Sequence, residues 1–233
     1  MPENHDCPRI DLAHLPKEDV QPVLVGAENS FEYKVTFSPF GRQSRGIHFS
    51  GKELLNLFVG MVLVVGVALS LFLYSVSYVL LGLFVLVFTV SFFVHEFAHK
   101  IVAQRKGVWA EFRLTSVGAI LTLVSIFSPL KFISPGAVMV SGSADGKSMG
   151  EIAVAGPMTN IVLSMAFLSS LLVAPTSQIL IWGMWFNAWI SFFNLIPFWV
   201  FDGLKIFTWN QRVWALALAA SLALTVYSFM RIL

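Results

Sequence analysis

From Leu54 to Val94 the chain carries no Asp, Glu, Lys or Arg, and the same holds from Ile152 to Phe201 and from Val213 to Met230. A bilayer core about 30 Å thick requires roughly 20 such residues per spanning helix, since every backbone N–H and C=O there must be satisfied without water. The three stretches have room for two, two and one crossings. With 57% hydrophobic and 12% charged residues the chain reads as a membrane protein. Its net charge of +2 is small, and its basic residues form no stripe interleaved with aromatics, so nucleic acid is not an expected partner. Cys7 stands alone and has no internal disulfide partner.

The organisation follows from where polar residues interrupt the apolar runs. Residues 1–50 read as a soluble extension without the apolar core of a signal peptide, with one alternating stretch, Phe31 to Phe37, as a candidate strand. His5, Cys7 and His14 within it match no zinc-ligand spacing. Residues 51–233 form the membrane-embedded domain. Helices are expected at about 54–74 and 79–101, dividing at Ser75–Tyr78, at 152–174 and 179–201, dividing at Pro175–Gln178, and at 211–231.

Lysine and arginine set the orientation, because loops facing the cytoplasm carry an excess of both. Arg42, Arg45 and Lys52 precede the first helix, Lys100, Arg105, Lys106 and Arg113 follow the second, and Lys205 and Arg212 follow the fourth. The N-terminus and these helix ends are therefore expected at the cytoplasmic face of a prokaryotic cell membrane, with Lys100 closing the second helix and Arg231 as the one dissenting charge. The segment 114–140 is apolar but broken by Pro129, Lys131, Pro135 and Gly136. If it spanned, every later crossing would be reversed. A re-entrant β-hairpin or loop keeps the ends of the second and fourth helices on one side, provided its backbone is buried in protein or lines a cavity. The expected fold class is an all-α polytopic membrane protein of about five transmembrane helices with that re-entrant piece.

The stretch VHEFAHK, Val94 to Lys100, ends the first apolar run. His95 and His99, four apart on a helix, share one face, a spacing that suits two imidazoles converging on one zinc. Glu96 beside them reaches a metal-bound water without being a ligand. Zinc lowers the pKa of such a water to about 7. Ionisable residues inside a transmembrane helix cost at least ~2.5 kcal/mol and mark functional sites.

A catalytic zinc takes three protein ligands. His5, His14 and His48 all lie before the first helix, so a carboxylate is the most economical third ligand. Glu111 sits among basic residues that offer it surface partners, Asp145 begins an Asp-Gly turn, and Glu151 falls in the first turn expected for the third helix. Asp202 has a weaker structural explanation. It ends the stretch Asn194 to Gly203, where Pro197 disturbs the helix and Asn194 offers an amide to a freed carbonyl. The two hairpins place Asp202 on the same side as the histidines.

HEFAH followed by N-x-x-P-x-x-x-x-D-G resembles the site-2 protease family of intramembrane zinc metalloproteases, and AGPMTN, Ala155 to Asn160, looks like that family's Gly-Pro-x-x-Asn element. The resemblance covers roughly Leu54 to Gly203. It implies one zinc held by His95, His99 and Asp202, with Glu96 as general base and a transmembrane protein as substrate. Asn194 is implied as a substrate or oxyanion contact, or equally as a helix-kink partner, and Gly156 and Asn160 as packing and kink residues. A re-entrant β element whose edge receives extended substrate is implied at 114–140. The PDZ domain carried by many relatives has no counterpart, and neither has the extension in them.

Two other readings use the same residues. A metalloprotease that trims prenylated C-termini would take its third ligand from a Glu, here Glu111 or Glu151. A metal transporter or sensor would need ligands relayed across the bilayer, and the other helices have no ionisable residue in their interiors.

Overall fold

The computed structural model describes residues 49–72, 77–129, 131–141, 145–198 and 201–233. They belong to one compact unit, Thr36–Leu233. The expected strand at 31–37 and nearly all of the N-terminal extension lie outside the described residues, as do the first two residues of the turn at 75–78.

In chain order the elements are α1 (Gly51–Phe72), α2 (Tyr78–Arg105), β1 (Trp109–Leu114), α3 (Ser116–Phe127), β2 (Gly136–Ser141), α4 (Gly146–Ser170), α5 (Gln178–Asn194), α6 (Asp202–Trp209) and α7 (Gln211–Ile232). Four of them, α1, α2, α4 and α7, are long and apolar enough to cross a membrane. The protein is an all-α integral membrane protein with one small two-stranded sheet among its described residues. Short polar side chains start the helices: Ser77, Thr115, Asp145 and Asn210 each accept a hydrogen bond from a backbone N–H of the first turn.

The bundle is apolar on its outside and buries both an apolar core and a set of small polar side chains. Leu54, Leu55, Phe58, Leu86, Val162 and Leu216 are exposed, while Ser91, Asn160, Ser164, Asn187, Ser191 and Ser221 are buried. In lipid this places oily side chains against acyl chains and lets the buried polar groups hydrogen-bond to protein partners. The largest apolar cluster joins Val64, Val67 and Ala68 of α1 to Phe84, Phe88 and Phe92 of α2 and to Trp185, Phe186 and Ile190 of α5. Phe88 and Phe186 meet edge to face with ring centroids 4.3 Å apart.

Helix boundaries differ from expectation in instructive ways. The third spanning helix begins at Gly146, not 152, because Asp145 caps it by accepting from Ser148 N–H at 2.9 Å instead of making an isolated turn. The helix expected at 179–201 stops at Asn194, since Pro197 cannot continue it. Its 17 residues rise about 25 Å, the lower limit for a crossing. α2 runs on to Arg105, so Lys100 does not close it. Lys100 is instead buried, with Nζ 2.6 and 2.5 Å from the Glu53 carboxylate oxygens and 3.9 Å from the Phe49 ring centre. Glu53 also accepts from Phe112 N–H at 3.1 Å, which ties α1, α2 and β1 together at one end. At the other end Arg231 donates to Pro175 C=O at 2.6 Å in the α4–α5 turn, which gives the dissenting charge a partner.

Between α2 and α4, β1 and β2 pair antiparallel from Trp109↔Ser141 to Leu114↔Gly136. Antiparallel pairing returns the chain to the level it left, as a re-entrant segment must. Its tip contains α3, which was not expected as a helix; 12 residues rise only about 18 Å and cannot span. The inner face of α3 satisfies the returning backbone. Thr122 Oγ1 accepts from Ser134 N–H at 3.2 Å, and Ser125 Oγ donates to Phe132 C=O at 2.9 Å. Lys131 Nζ donates to the carbonyls of Ser125 and Ile126 at 3.0 and 3.2 Å, capping the C-terminal end of α3.

Candidate metal centre and its cleft

With the re-entrant segment turned back, the far end of α2 meets the start of α4, the end of α5 and the start of α6. His95 and His99 project from α2, their Nε2 atoms 3.1 Å apart. Asp202, the first residue of α6, places Oδ2 3.0 Å from His99 Nε2 and 3.5 Å from His95 Nε2. Among the described residues these three form the one group of histidine and acidic side chains that can share a metal ion.

The histidine tautomers follow from their other contacts. His99 Nδ1 lies 2.7 Å from Ile152 C=O, which can only accept, so the proton is on Nδ1. His95 Nδ1 lies 2.5 Å from Asn160 Oδ1 and donates likewise. The Nε2 atoms of both rings therefore face the Asp202 carboxylate. Two imidazole nitrogens and a carboxylate oxygen that converge in this way can share a cation. A tetrahedral zinc with bonds of about 2.0–2.1 Å spaces its donors roughly 3.3 Å apart, close to the separations found, and two imidazoles with one carboxylate form a known catalytic zinc set. The donor set fits zinc.

Two glycines permit the approach. A Cβ at Gly156 on α4 would collide with His99 Nε2 and lie 2.7 Å from His95 Nε2. Gly156 is thus more than a packing residue of the AGPMTN element: the imidazoles rest on its bare backbone. A Cβ at Gly203 would run into the carbonyls of Leu195 and Ile196, so Gly203 lets the first turn of α6 sit on the end of α5 and carry Asp202 inward. Trp214 Nε1 donates to Leu195 C=O at 2.8 Å, and Ile196 N–H to Phe193 C=O at 3.2 Å, which satisfies the end of α5. The Asn194 amide is therefore not needed by the carbonyl that Pro197 frees. It donates to Ile190 C=O at 2.9 Å, one turn back in its own helix, and also lines the cleft.

The cleft opens beside the metal centre, between Glu96, His99, Asp202, Asn194 and Lys205 on one side and Gly136, Ala137, Val138 and Val140 of β2 on the other. Glu96 is buried, and its Oε2 has no protein partner. Lys205, one turn along α6, stands 3.5 Å from Asp202 Oδ1, the carboxylate oxygen turned away from the histidines.

The other candidate ligands are engaged elsewhere. Glu111 accepts from Ser50 Oγ and, at 2.5 Å, from Arg113 Nη2. Glu151 is in the second turn of α4, not the first, and pairs with Lys106. Asp145 is a helix cap. Two participants were not foreseen: Asn187 on α5 and Ser91 on α2, both fully or almost fully buried and hydrogen-bonded behind His95. The available signal was an amide inside an uncharged run, a costly residue at membrane depth even without charge.

Fold and site together define an integral membrane protein in which two buried histidines and the partly buried Asp202 could hold a metal ion, with an unpartnered carboxylate oxygen of Glu96 beside them. A curated protein of Methanocaldococcus jannaschii named "Putative zinc metalloprotease" is 31% identical over 178 residues, covering 72% of this chain and 90% of that protein. The chain belongs to the family of that zinc metalloprotease. No family model matches the chain. No solved structure matches it either.

Proposed function

We propose that the protein is an intramembrane zinc endopeptidase of the site-2 protease type, which cuts a peptide bond within or near a transmembrane segment of another membrane protein. The observation that carries this reading is the meeting of His95, His99 and Asp202 beside the unpartnered Oε2 of Glu96 at the end of a lipid-facing bundle. His95 Nε2, His99 Nε2 and Asp202 Oδ2 would hold the zinc. When bound, zinc polarises the scissile carbonyl and acidifies water. Glu96 takes the proton of the attacking water at its free carboxylate oxygen and returns it to the amine nitrogen that leaves as the C–N bond breaks. β2, along the other wall, offers backbone groups to an extended substrate strand, a form in which a locally unwound helix can be held. Asn194, at the cleft wall, is placed to touch that substrate with its remaining amide proton.

The lysines and arginines near this end of the bundle support a cytoplasmic active site in a prokaryotic cell membrane, with the N-terminus on the same side. Separation of Glu111 and Glu151 from the histidines speaks against the prenyl-trimming type, and a single ligand cluster among the described residues speaks against a transport relay.

The test is cleavage of co-expressed single-span membrane proteins by wild type and by Glu96→Ala, with zinc content measured on both. Glu96→Ala is expected to keep zinc and lose cleavage. Hydrolysis that persists in this variant refutes the assignment. Zinc should be lost on Asp202→Ala and retained on Glu151→Ala; the reverse favours the prenyl-trimming reading.

A further inference from the structure

His95 and His99 face the same centre but are oriented by different means. His99 Nδ1 donates to a main-chain carbonyl, Ile152 C=O. His95 Nδ1 donates to the side chain of Asn160, and an amide can rotate to present either oxygen or nitrogen. What fixes that amide lies deeper in the bundle. Asn160 Nδ2 is 2.8 Å from Asn187 Oδ1 and 3.3 Å from Ser91 C=O. Asn187 Nδ2 is 2.8 Å from Gly183 C=O and 2.9 Å from Ser91 Oγ. Ser91 Oγ in turn donates to Val87 C=O at 2.7 Å, which leaves its lone pairs to accept from Asn187.

Every role in this chain is dictated from its deep end. Gly183 C=O can only accept, so the Asn187 NH2 faces it and the Asn187 oxygen faces Asn160. The Asn160 NH2 must then point at that oxygen, and the Asn160 oxygen at His95. His95 must carry a proton on Nδ1, which holds the ring with Nε2 facing Asp202. Asn160 and Asn187 are completely buried, so no water competes for any of these contacts. In such surroundings the opposite amide orientation would set NH2 against N–H and oxygen against oxygen, which is prohibitively unfavourable relative to the observed one.

We infer that Asn187 is a positioning residue for the metal centre: acting through Asn160, it fixes the tautomer and orientation of His95. The inference rests on the reading of His95 as a zinc ligand. It assigns three helices to one ligand, with α2 supplying the imidazole, α4 the amide that touches it and α5 the amide that sets the direction. Partners that orient a ligating histidine typically change metal affinity 10- to 100-fold when lost.

The experiment compares detergent-purified wild type, Asn187→Leu, Asn160→Leu, the double variant, Asn187→Asp and His95→Ala. Zinc dissociation constants come from chelator competition, the absorption of the cobalt-substituted protein reports ligand geometry, and thermal unfolding of the metal-free forms reports the fold. Asn187→Leu is expected to weaken zinc binding 10- to 100-fold and to alter the cobalt spectrum. The double variant should bind no more weakly than Asn160→Leu, because Asn160 is the only hydrogen-bonded link from Asn187 to a ring nitrogen of the centre among the described residues. Asn187→Asp in its neutral form can donate to Gly183 C=O while its carbonyl oxygen accepts from Asn160, at the loss of the donation to Ser91 Oγ, and should recover part of the affinity lost in Asn187→Leu.

Wild-type affinity and spectrum in Asn187→Leu, additive losses in the double variant, or no recovery with Asp would each overturn the inference. Should Asn187→Leu fail to fold, Asn187→Ala replaces it with the same expectation. His95→Ala separates the two levels of argument: if it binds zinc as wild type does, the ligand assignment itself fails, whereas loss of zinc there with none in Asn187→Leu removes only the role of Asn187.

Discussion

Adding one methyl group at Gly156 tests whether the imidazole pair is as close to α4 as the structure places it. The new Cβ of Gly156→Ala would lie 2.7 Å from His95 Nε2 and nearer still to His99 Nε2. Non-bonded carbon and nitrogen settle about 3.5–4.0 Å apart, so at least one ring must withdraw by roughly 0.8 Å or more, or the helices must part. Metal–ligand distances tolerate only about 0.2 Å. Overpacking of this kind costs typically 1–3 kcal/mol, and if the distortion falls on the rings it weakens zinc binding by roughly 5- to 150-fold. The assay is zinc retained by purified protein dialysed against graded chelator, alongside substrate cleavage. Gly82→Ala serves as control, since a Cβ there meets nothing within 4 Å. Zinc affinity within twofold of wild type in Gly156→Ala would refute the close contact and the geometry built on it.

Two other perturbations probe the scaffold. Glu53→Ala strands the buried Lys100 ammonium and removes the acceptor of Phe112 N–H, and should cost about 3–5 kcal/mol of stability in detergent unfolding; a loss under about 1 kcal/mol contradicts the buried pair. Asp145, outside the spanning helices, has its carboxyl held below the usual range by hydrogen bonds with the Ser148 side chain and backbone. A depressed carboxyl contributes stability above its unfolded pKa of about 3.9, and the contribution disappears as pH falls through the folded value. Asp145→Ala should therefore melt below wild type at neutral pH, and the two melting temperatures should converge on strong acidification. A gap that stays constant with pH excludes the charged cap.

The candidate metal cluster and Glu96 were legible in the sequence because charge and imidazole are conspicuous where lipid is the solvent. Asp202 could be connected to the histidines only through the parity of crossings, and the 3.0 Å contact with His99 agrees with that count. α3 was hidden by its Val, Ile and Thr, which suggest strand in water; at membrane depth a helix closes its own hydrogen bonds, and that requirement overrides propensity. The start of α4 was misplaced because Asp-Gly signals a turn and a cap equally well. Asn187 was hidden by its neutrality among tryptophans and phenylalanines, and its meaning depends on Asn160 reaching it from another helix, which no local pattern encodes. Gly156 was visible as part of a motif, but its purpose became clear only once two rings were seen against it.

Because Asp202 rides on α6 while the histidines ride on α2, roughly a hundred residues separate the two halves of the centre. At about 5–20 residues per second, synthesis leaves the histidine pair incomplete for ~5–20 s after α2 has emerged. A chain that loses or gains one intervening crossing delivers Asp202 to the opposite leaflet, where it cannot meet His95 and His99. The cluster of His95, His99 and Asp202 is therefore a mark of correct threading, present only in copies whose intervening segments all lie as they do here.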